Sequence, residues 1–238
     1  MREYSTTSLS HAKDKLVAIA GAAKYLKKQH GGFYMAGLWR EDAIWQLNWY
    51  VLERPLRVRP GGYRAPTWSW ASVDGETVFP GSPPSANFIH YVSSVYQGSQ
   101  VEHFGEEDFA NAKKAALKIR CGPLLMMAFS ELEFCRSRFE TWYLNMDAEL
   151  QDLDDVVFLM ALYYLSYPNS KPLLYGLLLR RSKNEGGQYT RLGRFYITPS
   201  QFLAEQSRKE ACAEEADYGE VLKDENKPMG EYYVISII

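Results

Sequence analysis

The sequence predicts an α+β protein: a strongly curved or barrel-like antiparallel β-sheet of about eight or nine strands, with N-terminal helices and one late helix packed outside. Helical apolar spacing is confined to the first quarter of the chain and to a segment near residues 199–215. Most of the remaining chain consists of short β-rich runs broken by turn residues. We expect a single domain over residues 1–238, helical over 1–53 and built on the sheet over 67–238.

Two amphipathic patterns predict the N-terminal helices. Apolar residues recur every three or four positions over residues 16–26, and Gly31 and Gly32 then end the first helix. A second helical pattern starts near Asp42. The segment after it, residues 54–66, is rich in arginine, proline and glycine and predicts a loop that changes direction.

The next segment predicts a strand, because the apolar period changes from about 3.6 to about two residues. Trp68 and Trp70 would share one face, while the small side chains of Ser69 and Ala71 would admit close packing on the other. The Asp74-Gly75 pair then predicts a hairpin turn of type I′.

Further β-rich runs supply the rest of the sheet. They cover residues 88–97, 116–121, 124–129, 139–146, 156–166, 173–181, 188–198 and 231–238. Residues 156–165 and 173–179 are apolar on both faces and must be covered on both sides. A curved sheet meets this need, with either a filled core or a cavity inside, and a two-sheet sandwich is the alternative. A capping box from Thr198 to Gln201, with Pro199 between them, opens the late helix.

Composition excludes several classes of protein. The formal net charge is −2 and the basic residues form no stripe, so we expect no nucleic-acid partner. The three cysteines are odd in number and show no metal-binding spacing, which is typical of a reducing compartment. The N-terminal residues lack a signal-peptide pattern and no apolar run is long enough to cross a bilayer. A cytoplasmic location without a membrane partner is therefore expected.

Several stretches are similar to one known family. Residues 14–21 (DKLVAIAG), 34–39 (YMAGLW) and 63–75 (YRAPTWSWASVDG) resemble the region that follows the HET module in fungal heterokaryon-incompatibility (HET) proteins. Residues 175–179 (YGLLL) and 189–195 (YTRLGRF) are more loosely similar to the closing strands of those proteins. The resemblance implies a fungal source and a shared fold. Because these motifs begin close to Met1, we expect the HET module itself, to which cell-death signalling is attributed, to be missing.

Motifs for common chemistry are not found in the sequence. The four histidines include no pair at metal-ligand spacing, and there is no Gly-x-Ser-x-Gly motif for a serine nucleophile. No glycine-rich phosphate loop follows a strand, so we expect no cofactor, and we expect no metal. The acidic run over residues 147–155 is interpreted as a solvated loop.

Three residues are weak catalytic candidates. Arg64 and Asp74 flank the two tryptophans and either form a structural ion pair or polarise a ligand. His90 lies within a predicted strand and is either a general base or a hydrogen-bonded structural histidine. For all three, the structural interpretation is the commoner one.

The sequence is rich in aromatic residues, and these could line a binding pocket for an apolar ligand. The candidate substrate-binding residues are Trp68, Trp70, Tyr91, Trp142, Tyr143, Tyr163 and Tyr164. One hypothesis is a cofactor-free cyclase or isomerase, such as a Diels–Alder-type pericyclase, that folds an apolar terpenoid or polyketide intermediate of fungal secondary metabolism in an aromatic cavity.

The alternative hypothesis is a non-catalytic interaction or regulatory fragment of the heterokaryon-incompatibility system. Its contact surface for a protein partner would be the arginine- and proline-rich loop over residues 54–64, together with the small-residue side of the tryptophan strand. A decayed gene without separate function is a third hypothesis. A closed aromatic cavity would favour the enzyme, and a filled core would count against it.

Overall fold

The described part of the chain contains four α-helices in addition to its strands. A computed structural model describes residues 4–5, 14–52, 56, 58–97, 99–103, 112–138, 142–149, 156–182, 186–209, 216, 218–223 and 231–238. The helices are α1 (Lys15–His30), α2 (Ala43–Gln46), α3 (Phe129–Arg138) and α4 (Pro199–Lys209), with 3-10 turns at Arg40–Asp42 and Trp70–Ser72. No helix in these ranges has the length and apolar character needed to cross a membrane.

Fifteen short strands make up the β-structure of the described residues. They are β1 (Tyr34–Met35), β2 (Leu38–Trp39), β3 (Tyr50–Val51), β4 (Thr77–Val78), β5 (Ile89–Tyr91), β6 (Ser94–Val95), β7 (Gln100–His103), β8 (Ala112–Cys121), β9 (Leu125–Ala128), β10 (Tyr143–Met146), β11 (Val156–Leu165), β12 (Leu173–Arg181), β13 (Gln188–Ile197), β14 (Glu220–Lys223) and β15 (Glu231–Ile237). Strands β1 and β2 pair with each other, as do β3 and β4. The other eleven strands form one large sheet.

The large sheet confirms the predicted α+β class and corrects the predicted barrel. Its main strand order is β5-β11-β12-β13-β15-β8-β6, and the end strands β5 and β6 do not pair, so the sheet stays open. The sheet is also mixed, because β15 runs parallel to β13 and antiparallel to its other two partners, β14 and β8. The long connection through α4 and β14 allows β15 to return in the direction of β13.

The sheet curves back toward itself although it does not close. Its two end strands are consecutive in the chain, and only Val92 and Ser93 separate them. Tyr91 and Ser94 therefore lie within about 11 Å of each other. The amides of Val92 and Ser93 both donate to the Leu162 carbonyl at a register shift in β11, which ends the β5 ladder there.

Both faces of the central strands are buried, as the sequence predicts. Leu177 and Leu179 of β12 belong to a core cluster that also contains Trp49, Trp68 and residues of β8, β11 and β15. Leu178 of β12 belongs to a second cluster, which α3 and α4 cover. The unbroken apolar runs of β11 and β12 thus reflect layers packed on each side.

The predicted tryptophan strand is wrong. The backbone there forms a 3-10 turn, in which the Ser72 amide donates to the Ser69 carbonyl at 3.0 Å. Ser69 starts the turn: its hydroxyl accepts from the Ala71 amide at 3.2 Å and donates to the Ala36 carbonyl at 2.6 Å. The short hydroxyl fits this buried corner, and a period-two pattern of large and small side chains suits a corner as well as a strand.

Other local predictions also need correction. The Asp74-Gly75 hairpin is not formed: Gly75 alone of the pair has a positive φ (102°), and β4 pairs with β3 instead. The second helix is shortened to α2, because Tyr50 and Val51 pair with β4. Helix α3 begins at Phe129, where the sequence suggested the end of a strand. Helix α4 begins at Pro199 as predicted, whereas residues 210–215 lie outside the described ranges.

We expect Gly193→Ala to lower the free energy of unfolding by about 1–3 kcal/mol. Gly193 lies on β13 opposite Met146, and an added Cβ would lie 2.9 Å from the Met146 Cα and closer still to the Asn145 carbonyl oxygen. Both neighbours are backbone, so the two strands must separate to admit a methyl group. Urea unfolding of the purified protein measures the change.

The matched control is Gly122→Ala, where an added Cβ meets no atom within 4 Å. It should change the free energy of unfolding by less than about 0.5 kcal/mol. Equal stability of the two variants would contradict the close approach of β10 and β13.

Candidate functional site

Arg64 and Asp74 form the structural ion pair that was one of their two interpretations. The Arg64 Nη1 donates to the Asp74 Oδ1 at 2.9 Å, and the Lys15 Nζ lies 3.7 Å from the same oxygen. Lys15 is buried at the start of α1 and also donates to the Val73 carbonyl at 2.6 Å. The Asp74 carboxylate thus ties α1 to the segment that carries the two tryptophans.

His90, the third catalytic candidate, is exposed on β5. Its ring stacks on Tyr164 of β11, with centroids 4.5 Å apart and an interplanar angle of 15°. The two residues are register partners in neighbouring strands. The His90 ring and the Tyr164 ring therefore pack face to face across two neighbouring strands.

The three candidate tryptophans lie in packed cores on opposite faces of the sheet. Trp68 and Trp70 are fully buried in the cluster that the N-terminal segment covers. Trp142 is buried in the cluster under α3 and α4. Gly37, at φ 103°, lies against the Trp70 indole and accepts its N–H at 3.2 Å through the carbonyl oxygen. The three indoles therefore pack in the interior of the protein.

Three candidate tyrosines belong to a tyrosine row that crosses five strands. In spatial order the row contains Tyr143, Tyr196, Tyr175, Tyr163 and Tyr91, each the register partner of the next. Neighbouring ring centroids are 4.4, 5.4, 5.3 and 6.0 Å apart. The sequence singled out Tyr91, Tyr143 and Tyr163 but missed Tyr175 and Tyr196, because only the strand register brings these residues together.

The hydroxyl groups of Tyr91, Tyr163, Tyr175 and Tyr196 stay protonated at physiological pH, because the pKa of each is raised. Burial raises the pKa of Tyr163, and the neighbouring Tyr175 raises it further. Burial is also the main cause of the raised pKa of Tyr91, Tyr175 and Tyr196. These four residues therefore offer hydrogen-bond donors and aromatic surface, and none of their phenols acts as a base near neutral pH.

A fully buried ion pair between Asp147 and Arg191 was not predicted. The Arg191 Nε donates to the Asp147 Oδ2 at 2.8 Å, and its Nη2 donates to Oδ1 at 3.1 Å. The guanidinium also donates to the Leu47 and Trp49 carbonyls at 2.6 Å each. Its carbon lies 3.6 Å from the centroid of the Trp49 ring.

The interpretation of residues 147–155 as a solvated loop is wrong for its first residue, because Asp147 lies in this buried ion pair. Asp147 is buried, Glu149 is exposed, and residues 150–155 lie outside the described ranges. Burial lowers the pKa of Arg191, and the Asp147 carboxylate opposes that shift. The ion pair joins the segment after β10 to β13 and to the α2–β3 connection, so its role is structural.

An open groove with two lobes lies among α1, α2, the β1–β2 hairpin, residues 79–83 and residues 91–95. Its first lobe, about 390 Å³, is lined by Ile19, Ala22, Ala23, Leu26, Tyr34, Gly37, Trp39, Asp42, Trp45, Gln46, Phe79, Pro80, Gly81, Ser82 and Pro83. Its second lobe, about 550 Å³, is lined by Phe33, Arg40, Glu41, Asp42, Ile44, Trp45, Tyr91, Ser93, Ser94 and Val95. Asp42 and Trp45 line both lobes, which makes them the centre of what we call the aromatic groove.

The predicted site residues and the aromatic groove overlap at one position. Tyr91 lines the second lobe, and the other nine candidates line neither lobe. Local patterns gave no signal for the groove, because its lining comes from four separate stretches of the chain. Within the described ranges, no three histidine, cysteine, aspartate or glutamate residues are placed to hold a metal ion.

Comparison with known proteins found no relative of this chain. No protein-family model, no curated protein and no solved structure matches this chain.

Proposed function

We propose that this chain is a non-catalytic interaction module that holds a segment of a partner protein in the aromatic groove. The observation that supports the proposal is that Asp42 and Trp45 line both lobes. Aromatic side chains line both lobes, and aromatic rings are enriched where protein surfaces bind other proteins. An open groove with several hundred Å³ on each side of its centre suits an extended segment better than an enclosed small molecule.

Two aspartates already form ion pairs with cations of the chain, and this further supports a binding role over a catalytic one. Asp74 is shared by Arg64 and Lys15, and Asp147 is paired with Arg191. A carboxylate that already neutralises a buried cation is a poor general base. Cyclisation of an apolar substrate stays a prediction, and the groove contains one of its seven candidate substrate-binding residues.

The resemblance to the tail region of HET proteins suggests the kind of partner. Under this proposal the chain regulates a full-length heterokaryon-incompatibility protein by binding one of its segments. The predicted contact loop over residues 54–64 stays a prediction under this proposal, and its residues 54, 55 and 57 lie outside the described ranges.

We expect Tyr91→Ser to weaken binding of groove ligands by about tenfold or more, because aromatic anchors carry much of the binding energy at protein interfaces. Tyr91 is 51 % exposed and lines the second lobe. Ligands are obtained by selecting a random peptide display library on the purified wild-type protein. Isothermal titration calorimetry of the selected peptides then compares the variants.

Tyr143→Ser is the matched control. Tyr143 is 50 % exposed, occupies the opposite end of the tyrosine row and lines neither lobe. Both substitutions remove one half-exposed ring at an end of the same row, where Tyr91 meets Tyr163 edge-on and Tyr143 stacks on Tyr196, so their effects on folding should be similar. Equal affinity of the two variants for the selected peptides, or a selection without enriched peptides, would contradict the proposed function.

A further inference from the structure

The centre of the aromatic groove carries the carboxylate of Asp42. Asp42 is exposed, and within the part of the chain that the structure describes its side chain makes no hydrogen bond and no ion pair. The neighbouring Glu41 is engaged, because its carboxylate accepts the Phe33 amide at 3.1 Å. Arg40 lines the second lobe only. Asp42 is thus the charged group common to both lobes.

Apolar and aromatic surface lies on either side of this carboxylate. The first lobe presents Tyr34, Trp39 and Phe79, with Pro80 and Pro83 beside them. The second lobe presents Phe33 and Tyr91. Burial raises the pKa of Tyr91, and the negative charge of Asp42 adds to the shift, which agrees with a carboxylate close to the phenol.

A ligand that covers Asp42 must compensate its charge. Burial of an unpaired carboxylate is costly, and a cationic side chain removes that cost through a charge-assisted hydrogen bond. Aromatic faces next to the carboxylate add a favourable interaction with the same cation. A neutral or acidic side chain at this position gains neither contribution.

We infer that the partner segment is an extended peptide with an arginine or lysine between apolar residues. Its cation pairs with Asp42, and the apolar residues before and after it lie on the rings of the two lobes. This inference rests on the proposed function and adds the chemistry of the partner. Proline is a suitable flanking residue, because aromatic-lined grooves bind preformed extended helices of proline-rich peptides.

The test uses three short peptides that differ in their central residue, which is arginine, norleucine or glutamate between proline and leucine flanks. Isothermal titration calorimetry measures each peptide on wild-type protein, on Asp42→Asn and on Glu133→Gln. Glu133 is an exposed acid on α3 and lines neither lobe, so its substitution removes the same charge at a distance from the groove.

The arginine peptide should bind wild-type protein about tenfold more tightly than the norleucine peptide, with glutamate weakest. Asp42→Asn should remove the preference for arginine, whereas Glu133→Gln should keep it. Added salt should weaken the arginine complex, because exposed charge pairs are screened. Binding of the norleucine peptide to Asp42→Asn shows that the variant is folded.

Three results would overturn the inference. Equal affinity of the arginine and norleucine peptides would mean that Asp42 does not select a cation, and preference for glutamate would assign the groove to Arg40. No measurable binding of any peptide would reject this class of partner. The module itself is judged separately, by the library selection and by the comparison of Tyr91→Ser with Tyr143→Ser.

Discussion

Replacing Asp147 with alanine should lower the free energy of unfolding by about 3–5 kcal/mol. The substitution leaves the Arg191 guanidinium in the interior without its carboxylate partner, and both side chains are inaccessible to solvent in the folded protein. Arg59 does not compensate, because it is a second cation, 3.8 Å from the same carboxylate oxygen. Two neighbouring cations would then repel each other in a poorly solvated site.

Urea unfolding followed by tryptophan fluorescence measures this loss. Glu149→Ala is the control, because Glu149 is an exposed acid two positions further along the chain. The control should change the free energy of unfolding by less than about 0.5 kcal/mol. A loss below about 1 kcal/mol for Asp147→Ala would mean that water reaches the ion pair, contrary to the buried geometry.

The second large effect is expected for Trp70→Ala, which should lower the free energy of unfolding by about 3–5 kcal/mol. The indole is fully buried, meets the Tyr4 ring edge-on at 5.8 Å and donates its N–H to the Gly37 carbonyl. Removal of the ring leaves a cavity between the β1–β2 hairpin and the core. The same urea assay applies.

Trp70→Ala also separates the two functional hypotheses. Tyr25→Ala is its control, because Tyr25 is 64 % exposed on α1, and a change of less than about 0.5 kcal/mol is expected there. A Trp70→Ala variant as stable as the wild type would show that the interior accommodates empty space. That outcome would favour a ligand cavity and the cyclase hypothesis over a filled core.

Local sequence signals predicted the elements that local chemistry determines. Helix α1 ends at His30, before Gly31 and Gly32, and helix α4 starts at Pro199, directly after the first residue of the capping box, Thr198. Strands β11 and β12 carry unbroken apolar runs, and these runs require covered faces wherever the strands pair. Such features need no knowledge of distant residues.

The failed predictions concern features that depend on distant residues. The alternation of large and small side chains from Trp68 to Ala71 has the same appearance in a strand and in a 3-10 corner, and contact with the β1–β2 hairpin favours the corner. The acidic run after Met146 does not indicate that its first member meets Arg191. That partner is supplied by a strand more than forty positions later.

The candidate site was harder to predict than the fold for the same reason. Tyr91 was singled out as aromatic, but its neighbours Asp42 and Trp45 come from a different part of the chain. An exposed aspartate at the start of a short helix has no distinctive pattern in one sequence. Its position between two aromatic lobes becomes visible only when α1, α2 and the β1–β2 hairpin are assembled.

The place of β15 in the sheet also has a consequence for assembly of the sheet during synthesis. Strands β6 and β8 on one side and β11–β13 on the other are joined in the sheet through β15, which the ribosome makes after all of them. If the earlier strands pair before residues 231–237 emerge, nascent chains hold two partial sheets with open edges. Open edges of this kind are templates for association with other chains. Chaperone protection would matter most in that interval of translation.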